Sequence, residues 1–204
     1  MKMIYAIIVL ALIGGIIFYL VSRKKESQSN ELPSQQNENK NIDAQKPVGN
    51  PYQDLRNIAL ATTPEQLNLK ISENKTEVYG IVMDWNTGKG IATFVAFRTG
   101  DASMYTSTGG GVLGGGFHEN VKRAALAFIE KAQTKLNNTT KTEATPLPDE
   151  RSVKFYFLTN KGKFVADEQM KNFENNSSEW LELFEEGNKI VTELRLTSES
   201  QQFK

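Results

Sequence analysis

EVYGIVMDW (residues 77–85), NTGKG (86–90) and IATFVAFR (91–98) form the stretch on which the fold turns. The two flanking runs are rich in β-branched and aromatic residues, and the five between them carry Asn86, Gly88 and Gly90. That pattern predicts two strands joined by a short connection, hence antiparallel. Both runs are nearly continuous in apolar residues, which predicts a sheet covered on both faces. A third strand, ASMYTST at 102–108, follows the tight Thr99-Gly100-Asp101 turn and completes a meander.

Downstream, Val121, Ala124, Ala125, Phe128, Ile129, Ala132 and Leu136 recur at the spacing of one helical face, with Lys122, Arg123, Glu130, Lys131 and Lys135 on the other. This is an amphipathic helix that lies on the sheet. The polar stretch 137–150, with Pro146 and Pro148, reads as a surface loop. VKFYFL (153–158) and KFVA (163–166) flank Thr159-Asn160-Lys161-Gly162, a hairpin signal. A last helix starts near Asn176-Ser177-Ser178-Glu179, an apparent capping box, and runs through Trp180, Leu181, Phe184, Ile190, Val191 and Leu194, with Gly187-Asn188 as a place where it would break.

Upstream, Tyr52, Leu55, Ile58 and Ala59 repeat at helical spacing, and Thr63-Pro64-Glu65-Gln66 offers a second helix start. The expected architecture is therefore α+β: a five-stranded antiparallel sheet built as a three-strand meander, helix, hairpin and helix. This order resembles the layering of profilin-like and roadblock-like modules, an analogy that transfers no site.

Residues 3–21 (MIYAIIVLALIGGIIFYLV) are uncharged and of the length of one bilayer-spanning helix, with Tyr5 and Tyr19 near the ends. The run exceeds a signal-peptide core and lacks a small-x-small cleavage site, so residues 1–25 read as an uncleaved anchor. Arg23, Lys24 and Lys25 outnumber Lys2 and the α-amine, which places the following domain on the cytoplasmic side by a margin of one charge. Residues 26–50, polar and without an aromatic residue, read as a disordered tether spanning about 25–30 Å. Residues 51–204 form the folded domain, large enough to stand without disulfides or metal.

The chain has no cysteine, which excludes thiolate catalysis and cysteine-ligated zinc. Its 24 basic and 24 acidic residues balance, so no overall basic character marks a nucleic-acid partner.

Six of the 15 glycines fall inside Gly109-Gly110-Gly111-Val112-Leu113-Gly114-Gly115-Gly116. Gly109, Gly111 and Gly114 match the spacing of a dinucleotide fingerprint, but the meander before them and the hairpin after the helix lack the parallel βαβ unit that such a site needs. The simpler reading is that the glycines let the chain turn over the sheet edge while Val112 and Leu113 tuck inward. Ser107, Gly109, Gly110, Gly111, Gly114, Gly115, Gly116, His118 and Asp84 are the candidate ligand-binding residues. His118, the chain's single histidine, stands where the loop becomes a helix and could act as a base, a hydrogen-bond donor or simply a tie. Asp84 could contact a ligand, or more simply start the Asn86-Thr87-Gly88 turn. No spacing gathers metal ligands around His118, Asp84 and Glu119, and no cofactor or catalytic set is implied. Trp85 and Trp180 read as core anchors.

The segment Val78-Tyr79-Gly80-Ile81-Val82-Met83-Asp84-Trp85, with Ala102 through Gly111 and Gly114-Gly115-Gly116, resembles an uncharacterised bacterial family with a V-Y-G-x-V-M-D-W segment and a serine- and glycine-rich loop. The resemblance covers residues 77–132 and implies a bacterial origin and a defined loop, with no activity attached. The functional expectation is a membrane-tethered module that binds a protein or ligand. A small hydrolase-like enzyme using the loop and His118, and a self-associating envelope protein, are the alternatives.

Overall fold

The computed structural model describes residues 50–202. The expected anchor at 1–25 and all but the last residue of the expected tether at 26–50 lie outside the described residues. Among those described, no helix is long and apolar enough to cross a membrane.

Helix α1 (Pro51–Ala61) begins with Asn50 as its cap, the Asn50 side chain accepting from the Tyr52 amide at 3.2 Å, and with Pro51 in the first turn. Its buried residues are Tyr52, Arg56, Ala59 and Leu60. The expected stripe is therefore rotated: Arg56 lies inside it, and Ile58 is 64% exposed. Thr63 and Gln66 do exchange reciprocal hydrogen bonds, the Thr63 amide to Gln66 Oε1 at 2.9 Å and the Gln66 amide to Thr63 Oγ1 at 3.4 Å. No second helix grows from them, because Asn68 turns the chain at a φ of 54°.

The sheet has seven strands, not five, all antiparallel: β1 (Val78–Asn86), β2 (Ile91–Phe97), β3 (Ala102–Thr106), β4 (Gly111–Val112), β5 (Thr140–Thr142), β6 (Ser152–Thr159) and β7 (Gly162–Gln169). Their order is β4-β3-β2-β1-β6-β7-β5. The two additions are the edges. β4 comes from the glycine loop, and β5 from the polar stretch expected to be plain loop, where Thr140 pairs with Val165 and Thr142 with Lys163. Edges of two and three residues offer little ladder to another chain.

β1 is central, with Asp84 opposite Thr93 on β2 and opposite Lys154 on β6. Every β1 residue but Asn86 is buried, as its apolar run predicts. Ile81, Met83 and Trp85 face one layer and Val82 the other. The first layer holds helix α2 (Glu119–Lys135), short helix α3 (Met170–Glu174) and helix α4 (Leu181–Gln202). All seven expected apolar positions from Val121 to Leu136 are buried there. Trp180 stacks on Phe155 at 6.1 Å, and Trp85 meets Phe184 edge-on at 5.3 Å, so both tryptophans are core anchors.

α4 starts from Ser178, whose Oγ accepts from the Trp180 amide at 3.0 Å, and not from Asn176, which stands at a φ of 60°. It also runs unbroken through Gly187. A Cβ at that position would lie 2.6 Å from Met83 Cε and 2.9 Å from its sulfur, so Gly187 is the point of closest helix–sheet approach. The second layer, on the opposite face, is α1 with the segment behind it. Tyr52, Ala59, Leu60, Tyr79, Val82, Val95, Tyr105, Tyr156 and Leu158 form its core, and Leu67, Leu69 and Ile71 pack against them.

Candidate functional site

The glycine loop is a hairpin followed by a one-turn 3-10 helix (Gly115–Phe117). Ser107 extends the β2–β3 ladder: its amide donates to the Ile91 carbonyl and its Oγ accepts from the Ile91 amide, both at 2.9 Å. Gly109 and Gly110 then turn at φ 98° and 88°, a region open to glycine. Gly111 is required by close approach, since a Cβ there would sit 2.5 Å from the Met104 carbonyl oxygen. Gly114, at φ 71°, donates its amide to Ser103 Oγ at 3.1 Å. Gly115 lies under Leu194, with Val121 Cγ1 2.8 Å from where a Cβ would stand, and Gly116 lies against Asp101.

What approaches Gly111, Gly115 and Gly116 is thus the protein's own, backbone at the first and mainly side chains at the other two. Beside the exposed Ser107 and Thr108, the loop leaves two large apolar side chains in solvent. Val112 is half-buried against the core, but Leu113, expected to tuck inward, is 56% exposed and Phe117 is 95% exposed. His118 follows, half-buried; its side chain makes no cap bond to α2, and its backbone joins loop to helix, the amide donating to the Gly115 carbonyl at 3.1 Å and the carbonyl accepting from the Lys122 amide at 2.9 Å.

Asp84 is not part of this surface. It is fully buried and faces α1, on the side of the sheet opposite the core that receives α2, so the structure does not bring it to His118. Nor does it start the turn after β1; the Asn86 side chain does that, accepting from the Gly88 amide at 2.9 Å. Among the described residues no group of three His, Asp or Glu side chains is gathered as a metal would require.

The charged centre of the molecule is instead the Arg56–Asp84 pair, with the arginine side chain 2% and the aspartate side chain 0% exposed. Arg56 Nε and Nη2 donate to Asp84 Oδ2 at 2.9 and 2.7 Å. Thr93 Oγ1 donates to Asp84 Oδ1 at 2.6 Å. Because that hydroxyl's one proton is committed, Tyr52 is the donor in its 2.9 Å bond to Thr93. The Arg56 guanidinium lies 5.4 Å from the centre of the Tyr156 ring, a cation–π distance, and the Tyr156 hydroxyl donates to the Pro146 carbonyl. Tyr105 meets Tyr52 edge-on at 5.9 Å, yet its buried hydroxyl has no hydrogen-bond partner among the described residues.

Burial dominates the electrostatics. It pushes the Asp84 carboxyl above the ordinary aspartate range, against the downward pull of Arg56, Thr93 and Lys154. For Arg56, burial pulls downward but the hydrogen bonds and charge of Asp84 outweigh it, so the guanidinium stays charged. Burial pushes Tyr52 up to about 12, helped by the charge on Asp84, and Tyr156 up to about 12 despite Arg56. Tyr105 and Tyr79 move up for the same first reason.

Arg56, Thr93, Tyr52, Tyr105 and Tyr156 escape a reading by motif. The available signal was a single charge of each sign in an apolar context: Arg56 four residues after Tyr52 on a helix, and Asp84 within an apolar strand.

Comparison of the chain with family models, curated proteins and solved structures gives no match. The site is therefore read from its own geometry.

Proposed function

We propose that this chain is a membrane-tethered binding module whose contact surface is the tip of the glycine loop, Leu113 and Phe117 with His118 beside them. The carrying observation is the exposure of Phe117, 95%, on a loop in which Gly111, Gly115 and Gly116 are packed against the protein itself. A large aromatic side chain left in water forgoes about 1.5–3 kcal/mol of burial, which a partner can recover. Held on an anchored backbone, it also costs little further ordering on binding.

The rival enzymatic reading loses its carboxylate, because Asp84 is committed to Arg56 and Thr93 under α1. Ser103 and Ser107 are engaged with the Gly114 and Ile91 amides. The apolar run at 3–21 supports the tether, and the balance of Lys and Arg around it supports a cytoplasmic domain. Helices on both faces of an antiparallel sheet, as in the profilin-like and roadblock-like modules this order resembles, suit a scaffold that presents a loop.

A photo-crosslinking amino acid at position 117 of the full-length chain in its native cells tests the proposal, with position 58 as the exposed apolar control. A discrete adduct from 117, absent from 58 and lost on Leu113→Ser, is expected. The same products from both positions, or none from 117, would overturn it.

A further inference from the structure

The sheet face under α1 is assembled as a receptor for a cation. Its parts stand on four strands: Asp84 on β1, Thr93 on β2, Tyr105 on β3 and Tyr156 on β6. A carboxylate that meets a guanidinium through two N–H groups, with an aromatic face beside it, is the combination that selects arginine over lysine. Arg56 fills it from α1, using both Nε and Nη2 on Asp84 Oδ2 and lying over Tyr156. One buried polar group in the cluster, the Tyr105 hydroxyl, is left unused by this occupant. The face under α1 thus holds one hydroxyl that its resident helix leaves unpaired.

The receptor and its occupant are held to the fold by different means. The four strands are fixed by their ladders and by the large apolar cluster on their other face, where Phe128, Phe155, Phe157, Leu183 and Ile190 are all fully buried. α1 buries four residues, one of them the arginine, and reaches β1 through residues 62–77, where Leu67, Leu69 and Ile71 are half-buried on the same face, the Thr62 carbonyl accepts from the Tyr79 hydroxyl and Glu77 alone is fully buried. When α1 lifts, Arg56 and Asp84 recover the hydration that pairing in the interior takes from them, so lifting is cheaper than for a helix held by apolar contacts alone. Elements held this way open locally, below the free energy of global unfolding.

We infer that this face of the sheet is a guanidinium-binding site which α1 occupies in cis through Arg56 and vacates for an arginine side chain presented by another polypeptide. The incoming segment need supply only what α1 supplies, an arginine with an aromatic residue one helical turn before it.

Native-state hydrogen exchange on the full-length chain is the first test. The amides of α1 should exchange through an opening at least about tenfold more frequent than the one that exposes Ile81 to Trp85. Arg56→Ala should speed α1 exchange further, and millimolar methylguanidinium should slow it again. Asp84→Asn in the same background should abolish that rescue. Should Arg56→Ala fail to fold, a labelled peptide of residues 50–62 added to the wild-type chain decides the matter: the peptide should bind, and its Arg56→Ala counterpart should not. Exchange of α1 only together with β1, at one common free energy, would overturn the inference. So would an Arg56→Ala chain that folds and is indifferent to methylguanidinium, or a wild-type peptide that binds no better than its alanine counterpart.

Discussion

Replacing Arg56 by alanine leaves a carboxylate with no exposed surface, one hydrogen bond from Thr93 and no hydrogen-bonded counter-charge, only the weaker field of Lys154. Breaking a buried pair by removing one partner costs about 3–5 kcal/mol, a large share of the roughly 5–15 kcal/mol that holds a domain together. For a domain of this size each kilocalorie lowers Tm by about 2–4 °C, so Arg56→Ala should melt roughly 6–20 °C below wild type. Asp84→Ala, which strands the guanidinium, should fall in the same range. The double replacement Arg56→Met with Asp84→Leu removes both charges and keeps the volume apolar. Such exchanges are neutral or stabilising by about 1–4 kcal/mol, so the double variant should recover most or all of the loss. Urea unfolding followed by near-UV and far-UV circular dichroism gives the three free energies directly. A loss below about 1 kcal/mol for both single variants is what a solvated surface pair would give, and it would refute the burial and the geometry on which the reasoning rests.

Four of the chain's six tyrosines, Tyr52, Tyr79, Tyr105 and Tyr156, are buried on one face of the sheet, and burial raises all four. Between the ordinary tyrosine value of 10.0 and the value of about 12 for Tyr52 and Tyr156, the unfolded chain sheds protons that the folded chain keeps, so stability is intact below this window and falls as pH rises through it. Absorbance at 295 nm should show no more than two tyrosines ionised while the circular dichroism stays native; free titration of all six near pH 10 would contradict the burial. Gly111→Asn, which drives a side chain into the Met104 carbonyl, should cost about 1–3 kcal/mol in urea unfolding, whereas Gly114→Asn should cost less, since asparagine tolerates the left-handed φ of 71° and a Cβ there meets nothing within 4 Å. Gly187→Ala gains about 1 kcal/mol of helix propensity but crowds Met83 and Phe128 by about 1–3 kcal/mol, so the same assay should show net destabilisation, and Gly187→Ala should cost less in a Met83→Ala background than in the wild type.

The parts of the fold that repeat were readable from the chain. The α2 stripe from Val121 to Leu136 and the β1–β2–β3 meander are local patterns whose period survives in the structure. The parts missed depend on a partner distant in sequence. β5 is polar and has no periodicity; it exists because Thr140–Thr142 lies beside the exposed edge of β7. Gly187 reads as a helix break until Met83 is placed against it, and Ser178 stands two residues after Asn176, whose spacing to Glu179 looks like a capping box. For the site, the glycines announced a close approach of backbone without saying that the visitor was Leu194 or Asp101. Asp84 looked like a turn starter because the sequence does not say that Arg56 stands across the sheet face from it.

The two faces of the sheet follow from one strand. β1 alternates Ile81, Met83 and Trp85 with Val82 and Asp84, so a single charged position decides that one face is sealed by apolar contact and the other needs a cation. Any element that covers the second face must carry that cation or leave Asp84 unpaired, a far more selective demand than shape and hydrophobicity alone. The apolar face tolerates repacking among Leu, Ile and Met, because volume is most of what it asks for. The α1 face does not, since an apolar residue in place of Arg56 fits by volume and fails by charge. Selectivity and ease of release therefore have the same origin here: the pair that specifies which helix may dock is also the pair whose ions water will take back.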